Sequence, residues 1–197
     1  MKYIIALIAL LLIAPSTAFS QEEDVKDEKK ATEKLQRPAF ESLYLIDNQT
    51  NVVNAKNELQ AVMQHRFGLI NAGTNDMKGF WAPSNIRIAA SYGLTDKITL
   101  GFGTTRDNRF QDFSAKVAIL QQTVSEKMPV SVTYYGNFTI DARTRDNFKH
   151  LQHRYSYFNQ IIVARRINDM FSVQVAPSVS HFNLVETGMS NDMFAVA

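Results

Sequence analysis

Three basic side chains recur on one phase of an alternating pattern. They are Arg66 after Gln64-His65, Arg87 between Ile86 and Ile88, and Lys116 between Ala115 and Val117. Gln60, Gln64, Ser114, Tyr135 and Gln174 fall on the same phase. If the opposite, apolar phase faces lipid, this set points into a lumen, where three cations among neutral polar groups would favour small anions. The competing reading is a filled interior. There the cations pair with carboxylates such as Glu58 or Asp112 and hold strands together, and this structural reading takes precedence.

Other constellations carry little chemistry. The histidines are His65, His150, His153 and His181; His150 and His153 share a loop with Asp141 and Asp146, but the spacing is weak for a transition metal and loop histidines are usually solvated. The clusters Thr105-Arg106-Asp107-Asn108-Arg109 and Ser190-Asn191-Asp192 read as turns and do not follow calcium-loop spacing. No Gly-x-Ser-x-Gly, no phosphate-cradling Gly-Lys-Thr and no dinucleotide fingerprint occurs, and there is no cysteine. Serine, histidine and acidic residues are present without a spacing that marks a membrane-embedded hydrolase. The expectation is a non-enzyme with no catalytic residue, metal ligand or cofactor.

The elements that must position the basic residues are strands. Residues 86–92 and 98–102 alternate around a polar turn at Thr95-Asp96, which is how an antiparallel hairpin is written. The same period of two recurs at 59–67, with Leu59, Ala61, Met63 and Phe67 on one side. It recurs at 113–119, at 130–138 and at 171–180. Residues 155–164 are β-rich with a blurred alternation, and 193–197 begin one more strand. Gly101-Phe102-Gly103 lies inside a strand, where glycine relieves curvature or crowding.

The connections are unequal. Short joints are expected at 94–96, 122–127 and 167–169, and longer ones at 68–84, 105–111, 141–153 and 182–192. Loop length segregated by end is the pattern of an outer-membrane barrel, whose strands of about 9 to 11 residues join through short periplasmic turns and longer outer loops. Phe67, Tyr92, Phe113, Phe138, Tyr155, Tyr157 and Phe171 lie near strand ends, where interfacial girdles sit. By strict alternation His65 falls on the outward phase, so it sits at the interface or a bulge shifts the register near Arg66.

The start of the chain reads as an address. Lys2 precedes the apolar run 4–14, and Pro15 and Ala18-Phe19-Ser20 follow, so residues 1–20 form a cleavable secretory signal. Residues 21–38 mix both charge signs and almost lack apolar residues, which makes them a flexible charged leader. The formal net charge of the 197-residue chain is +2 and its basic residues are scattered, so nucleic acid is not an expected partner.

The ordered series His65-Arg66-Phe67-Gly68, Gly79-Phe80, Asn85-Ile86-Arg87, Tyr92-Gly93, Gly101-Phe102-Gly103, Lys116, Leu120-Gln121-Gln122 and Pro129-Val130-Ser131-Val132 resembles an uncharacterised family of bacterial outer-membrane β-barrel proteins known by a domain-of-unknown-function label. The match runs from about Phe40 to the end. The resemblance implies an outer-membrane barrel, with outer-membrane lipid as its partner, and it supplies no activity and no catalytic residue. Such proteins resemble longer chains with further hairpins, whereas this text stops within an alternating run at Ala197.

The reading is therefore an all-β, antiparallel, up-and-down transmembrane barrel over residues 39–197, truncated in its last strand. Its expected role is passive passage of small, anionic solutes or a membrane scaffold with no open pore. The alternative is a secreted soluble barrel binding an apolar ligand inside, with Leu59, Ile88, Leu100, Val117 and Val132 turned inward.

Overall fold

The structure is a computed structural model that describes residues 33–197. The signal segment 1–20 and residues 21–32 of the leader lie outside the described residues. A two-residue pair, β1 (Tyr44–Leu45) and β2 (Asn48–Gln49), forms a small hairpin of its own. The remaining strands are β3 (Leu59–Arg66), β4 (Asn85–Thr95), β5 (Ile98–Thr105), β6 (Phe110–Leu120), β7 (Ser131–Asp141), β8 (Tyr155–Arg166), β9 (Ser172–Val175), β10 (Pro177–Phe182) and β11 (Asp192–Val196).

They make one antiparallel sheet in the order β3-β4-β5-β6-β7-β8-β10-β11, with β9 also on β8. Each strand pairs with its sequence neighbour, which is the up-and-down connection that short hairpins impose. β9 and β10 keep one register on β8, with Val175 opposite Val163 and Ser178 opposite Gln160, so they are one strand interrupted where Pro177 has no N–H to give. β3 and β11 are not paired with each other, so the sheet is not closed, consistent with an incomplete barrel. The bodies of β4, β6 and β7 are 11 residues each, the length a tilted strand needs to cross a hydrocarbon core.

The two faces are those of a soluble protein inverted. Leu59, Met63, Ile88, Leu100, Phe113, Ile161, Val173 and Val175 are exposed on the convex face. The concave face buries Ser91, Thr99, Asp112, Lys116, Thr133 and Gln160. The phase that the soluble alternative needed inward is outward. The blurred alternation of β8 also resolves here: Phe158 and Ile162 point inward, Ile162 forming a small buried apolar cluster with Tyr135 and Ala176 and the partly buried Phe158 packing against it.

Several expectations change. The connection between β5 and β6, expected to be long, is only residues 106–109, because β6 begins at Phe110. The joint between β6 and β7, expected to be short, runs over residues 121–130. The end of the leader pairs there, through an isolated bridge from Leu35 to Thr123 and bonds from Gln36 N to Gln122 O and Val124 N to Lys34 O. Residues 33–38 are thus docked and not free. His65 needs no bulge, since β3 and β4 stay in register from Leu59–Tyr92 to Arg66–Asn85. It is exposed at the strand end and stacks 4.5 Å from Phe67, which stacks 4.5 Å from Phe80.

Residues 39–58, expected to open the barrel, are not part of its wall. They run across the concave face, where inward polar side chains bond to them.

Candidate functional site

The site is built from the inside of the sheet and the segment lying on it. Several inward polar side chains of the wall bond to residues 38–58, some to main-chain atoms and some to side chains. Arg166 donates to Pro38 O at 3.3 Å and Gln174 Nε2 to Gln49 O at 2.8 Å. Gln160 Nε2 donates to Asn48 Oδ1 at 2.9 Å, and Thr133 Oγ1 to Asn51 O at 3.3 Å. Asn54 N donates to Thr99 Oγ1 at 2.8 Å, and Ser91 Oγ to Asn54 Oδ1 at 3.3 Å. Outside the short β1–β2 hairpin this backbone must satisfy its polar groups elsewhere, and here the wall supplies partners. The result is a plug.

Lys116 is the centre of that contact. Its ammonium donates to Leu43 O at 3.2 Å and Val52 O at 3.1 Å, clamping both ends of the β1–β2 hairpin. The same nitrogen lies 5.8 Å from the Tyr44 ring and 5.9 Å from the Tyr135 ring. Carbonyl dipoles and two ring faces stand in for a carboxylate around a buried cation.

Arg87 is held differently. It forks onto Asp112, Nε to Oδ2 at 2.9 Å and Nη2 to Oδ1 at 2.5 Å, while Nη1 donates to Gln64 Oε1 at 3.0 Å. Arg87 is on β4 and Asp112 on β6, so the fork must cross β5. Gly103 lets it: a Cβ there would sit 2.5 Å from both Arg87 Nη2 and Asp112 Oδ2. This is the crowding that the glycine was expected to relieve. Arg66, at the mouth, reaches Asp47 of the plug at 2.9 Å, with both groups half exposed or more.

The three cations of the sequence reading therefore do not converge on an open lumen. Each has a separate neutraliser or cradle. Asp112 was among the carboxylates expected to pair; Glu58 instead accepts from Ala55 N within the plug's own turn. Gln64, Arg66, Arg87 and Tyr135 do gather, with Tyr44, Asp47, Asn137 and Gln160, around a vestibule of about 280 Å³ at the long-loop end. Gln60, Lys116 and Gln174 are not part of its lining. The plug residues that complete the site were missed as such. Their signal was the uncharged polar run Asn48-Gln49-Thr50-Asn51 between the leader and the first regular strand.

At Gly93 the plug and the wall meet backbone to backbone. Gly93 N donates to Glu58 O at 2.9 Å, and Asn57 N to Gly93 O at 2.8 Å. A Cβ at this position would lie 1.9 Å from Ala55 O. Gly93→Val is expected to weaken plug docking by about 2 kcal/mol or more, as overpacking against backbone does. Faster hydrogen exchange of residues 54–58, with the folded band still shifting on boiling in a gel, is the expected reading; unchanged exchange would mean that the close approach does not hold the segment.

Among the described residues no group of three or more His, Asp or Glu side chains converges as a metal site. His150 and His153 contact each other edge to face at 5.1 Å, and neither is joined there by Asp141, which forks onto Arg143.

A family model described as "Membrane bound beta barrel domain (DUF5777)" matches residues 40–197. No curated protein and no solved structure matches the chain.

Proposed function

Because the chain belongs to this family of membrane-bound β-barrel domains, we propose that it is an exported outer-membrane protein whose interior is filled by its own N-terminal segment, acting as a plugged, non-catalytic scaffold. Residues 1–20 would direct export and be removed. The short turns would face the periplasm, where the docked leader end at residues 33–38 emerges beside 122–124. The long loops would face outward.

The observation that carries this reading is Lys116 seated on Leu43 O and Val52 O. A cation available to a passing anion would face water and carry no fixed acceptors. The interior charges that line the vestibule also cancel, Arg87 against Asp112 and Arg66 against Asp47. That balance gives passage of anions no electrostatic support.

Conductance across a planar bilayer tests it. The full chain is expected to insert without stable open-channel current, and a chain lacking residues 39–57 to give discrete current steps. Equal current from both would overturn the plugged reading in favour of solute passage.

A further inference from the structure

The interior cations each have a carboxylate or a carbonyl cradle. A second basic group at the long-loop end holds one paired arginine, Arg143, and two, Arg106 and Arg109, without an ion pair among the described residues. Arg106, Asn108 and Arg109 of the β5–β6 connection and Arg143, Thr144 and Asn147 of the β7–β8 connection surround one hollow of about 300 Å³. No carboxylate lines it. Ala142 N donates to Arg109 O at 3.3 Å, which ties the two connections together.

The three guanidiniums are supported unequally. Arg143 is oriented from behind by Asp141, Nε to Oδ1 at 3.0 Å and Nη2 to Oδ2 at 2.7 Å. It also lies over the Phe148 ring at 5.6 Å, and Arg154 lies over the same ring at 5.7 Å. Arg106 and Arg109 make no ion pair among the described residues. The turn that carries them is strained, with φ of 51° at both Asn108 and Arg109, a left-handed conformation that costs a long side chain energy. Strain that brings like charges together calls for an anion that repays it.

The height of this group on the barrel identifies the anion. On the convex face Phe102, Phe113, Phe138 and Tyr157 lie opposite one another on four successive strands. Phe102 and Phe113 have ring centroids 5.1 Å apart, and Phe138 lies 5.4 Å from Tyr155 and 5.3 Å from Tyr157. A row of aromatics marks the boundary between hydrocarbon and headgroups. From Phe138 the strand runs three more residues to Asp141, about 10 Å at the rise of a β-strand. The arginines begin there, at headgroup level.

We infer that Arg106, Arg109 and Arg143 form a phosphate-binding site for the headgroup of a phosphorylated glycolipid in the outer leaflet. This rests on the outer-membrane orientation proposed above. Guanidinium forks match phosphate oxygens bidentately, and Asn147 and Thr144 add neutral polar groups beside them.

The test uses the full chain folded in detergent and three probes: diphosphorylated lipid A, the same lipid with its phosphates removed, and inorganic phosphate. The wild type is expected to retain the diphosphorylated lipid, and the double variant R106Q/R109Q to bind it about tenfold or more weakly. Neither arginine has a carboxylate partner to orphan, and the shift of the folded band on boiling checks that the variant folds. Undiminished affinity in the folded variant would overturn the site. So would equal retention of the phosphate-free lipid, and inorganic phosphate binding as tightly as the lipid would overturn the headgroup assignment. Orientation is read separately. The chain has no cysteine, so Lys149→Cys gives a single thiol on the same loop. Labelling of intact cells by a membrane-impermeant maleimide supports the outward orientation; labelling only after lysis overturns that orientation while leaving the detergent result to stand on its own.

Discussion

Lys116→Glu is expected to expel the plug. The wild-type ammonium is buried against two carbonyl oxygens and between two tyrosine rings. A carboxylate in its place would meet the negative ends of the same dipoles and the negative ring faces, with no donor to replace the lost water. Leaving a charge in that state costs on the order of 3–5 kcal/mol. The segment is held by many separate bonds, so that loss lowers its docked population without removing the wall's own ladders. The expected readings are loss of hydrogen-exchange protection over residues 43–54 and new current steps in a bilayer. Protection equal to wild type would mean that Lys116 does not hold the plug.

Lys116→Met separates charge from contact. It keeps an unbranched side chain one atom shorter and removes both hydrogen bonds. Leu43 O still accepts from Thr50 N at 3.0 Å, so the main loss is at Val52 O. That single bond is worth about 1 kcal/mol, and removing an ammonium that has no carboxylate partner offsets part of it. Lys116→Met should therefore stay largely plugged, and the contrast between the two variants isolates the electrostatic contribution.

Asp112→Ala is the second large effect. It leaves Arg87, whose side chain is only 15% exposed, with Gln64 as its remaining side-chain partner. Breaking a buried pair from one side costs about 3–5 kcal/mol, whereas removing both charges costs much less. The folded-to-unfolded transition in denaturant should shift strongly for Asp112→Ala and partly recover in Arg87→Met combined with Asp112→Ala. If the double variant is as unstable as the sum of the two single ones, the fork contributes no coupling. Gly103 belongs to the same unit, because only a residue without Cβ leaves room for the fork to cross β5.

These effects lie at different distances from what the sequence makes legible. Strand content, order and facing were readable because a strand's side chains alternate with a period of two. Once Leu59, Met63, Ile88 and Leu100 define one phase, Arg66, Arg87, Lys116, Tyr135 and Gln174 are committed to the other. Adjacent pairing follows from short hairpins, and the aromatics near strand ends are set by the same period. The His-Arg-Phe-Gly series and its companions likewise pointed to a membrane-barrel family without the structure.

Asp112 apart, the partners were not readable, because the contacts that fill the interior join distant parts of the chain. Lys116 meets Leu43 across 73 residues, Gln160 meets Asn48 across 112 and Gln174 meets Gln49 across 125. No local pattern marks a backbone carbonyl as the acceptor for a remote side chain. Two of the expected loop lengths, at 106–109 and 121–130, differ, and at 121–130 the end of the leader pairs with the connection, a contact that leaves no trace in the connection's own sequence. Alternation thus told which side chains face inward, since that depends only on the geometry of each strand. Whether they face water, a carboxylate or the protein's own chain depended on where residues 38–58 came to rest, and only the tertiary structure decided that.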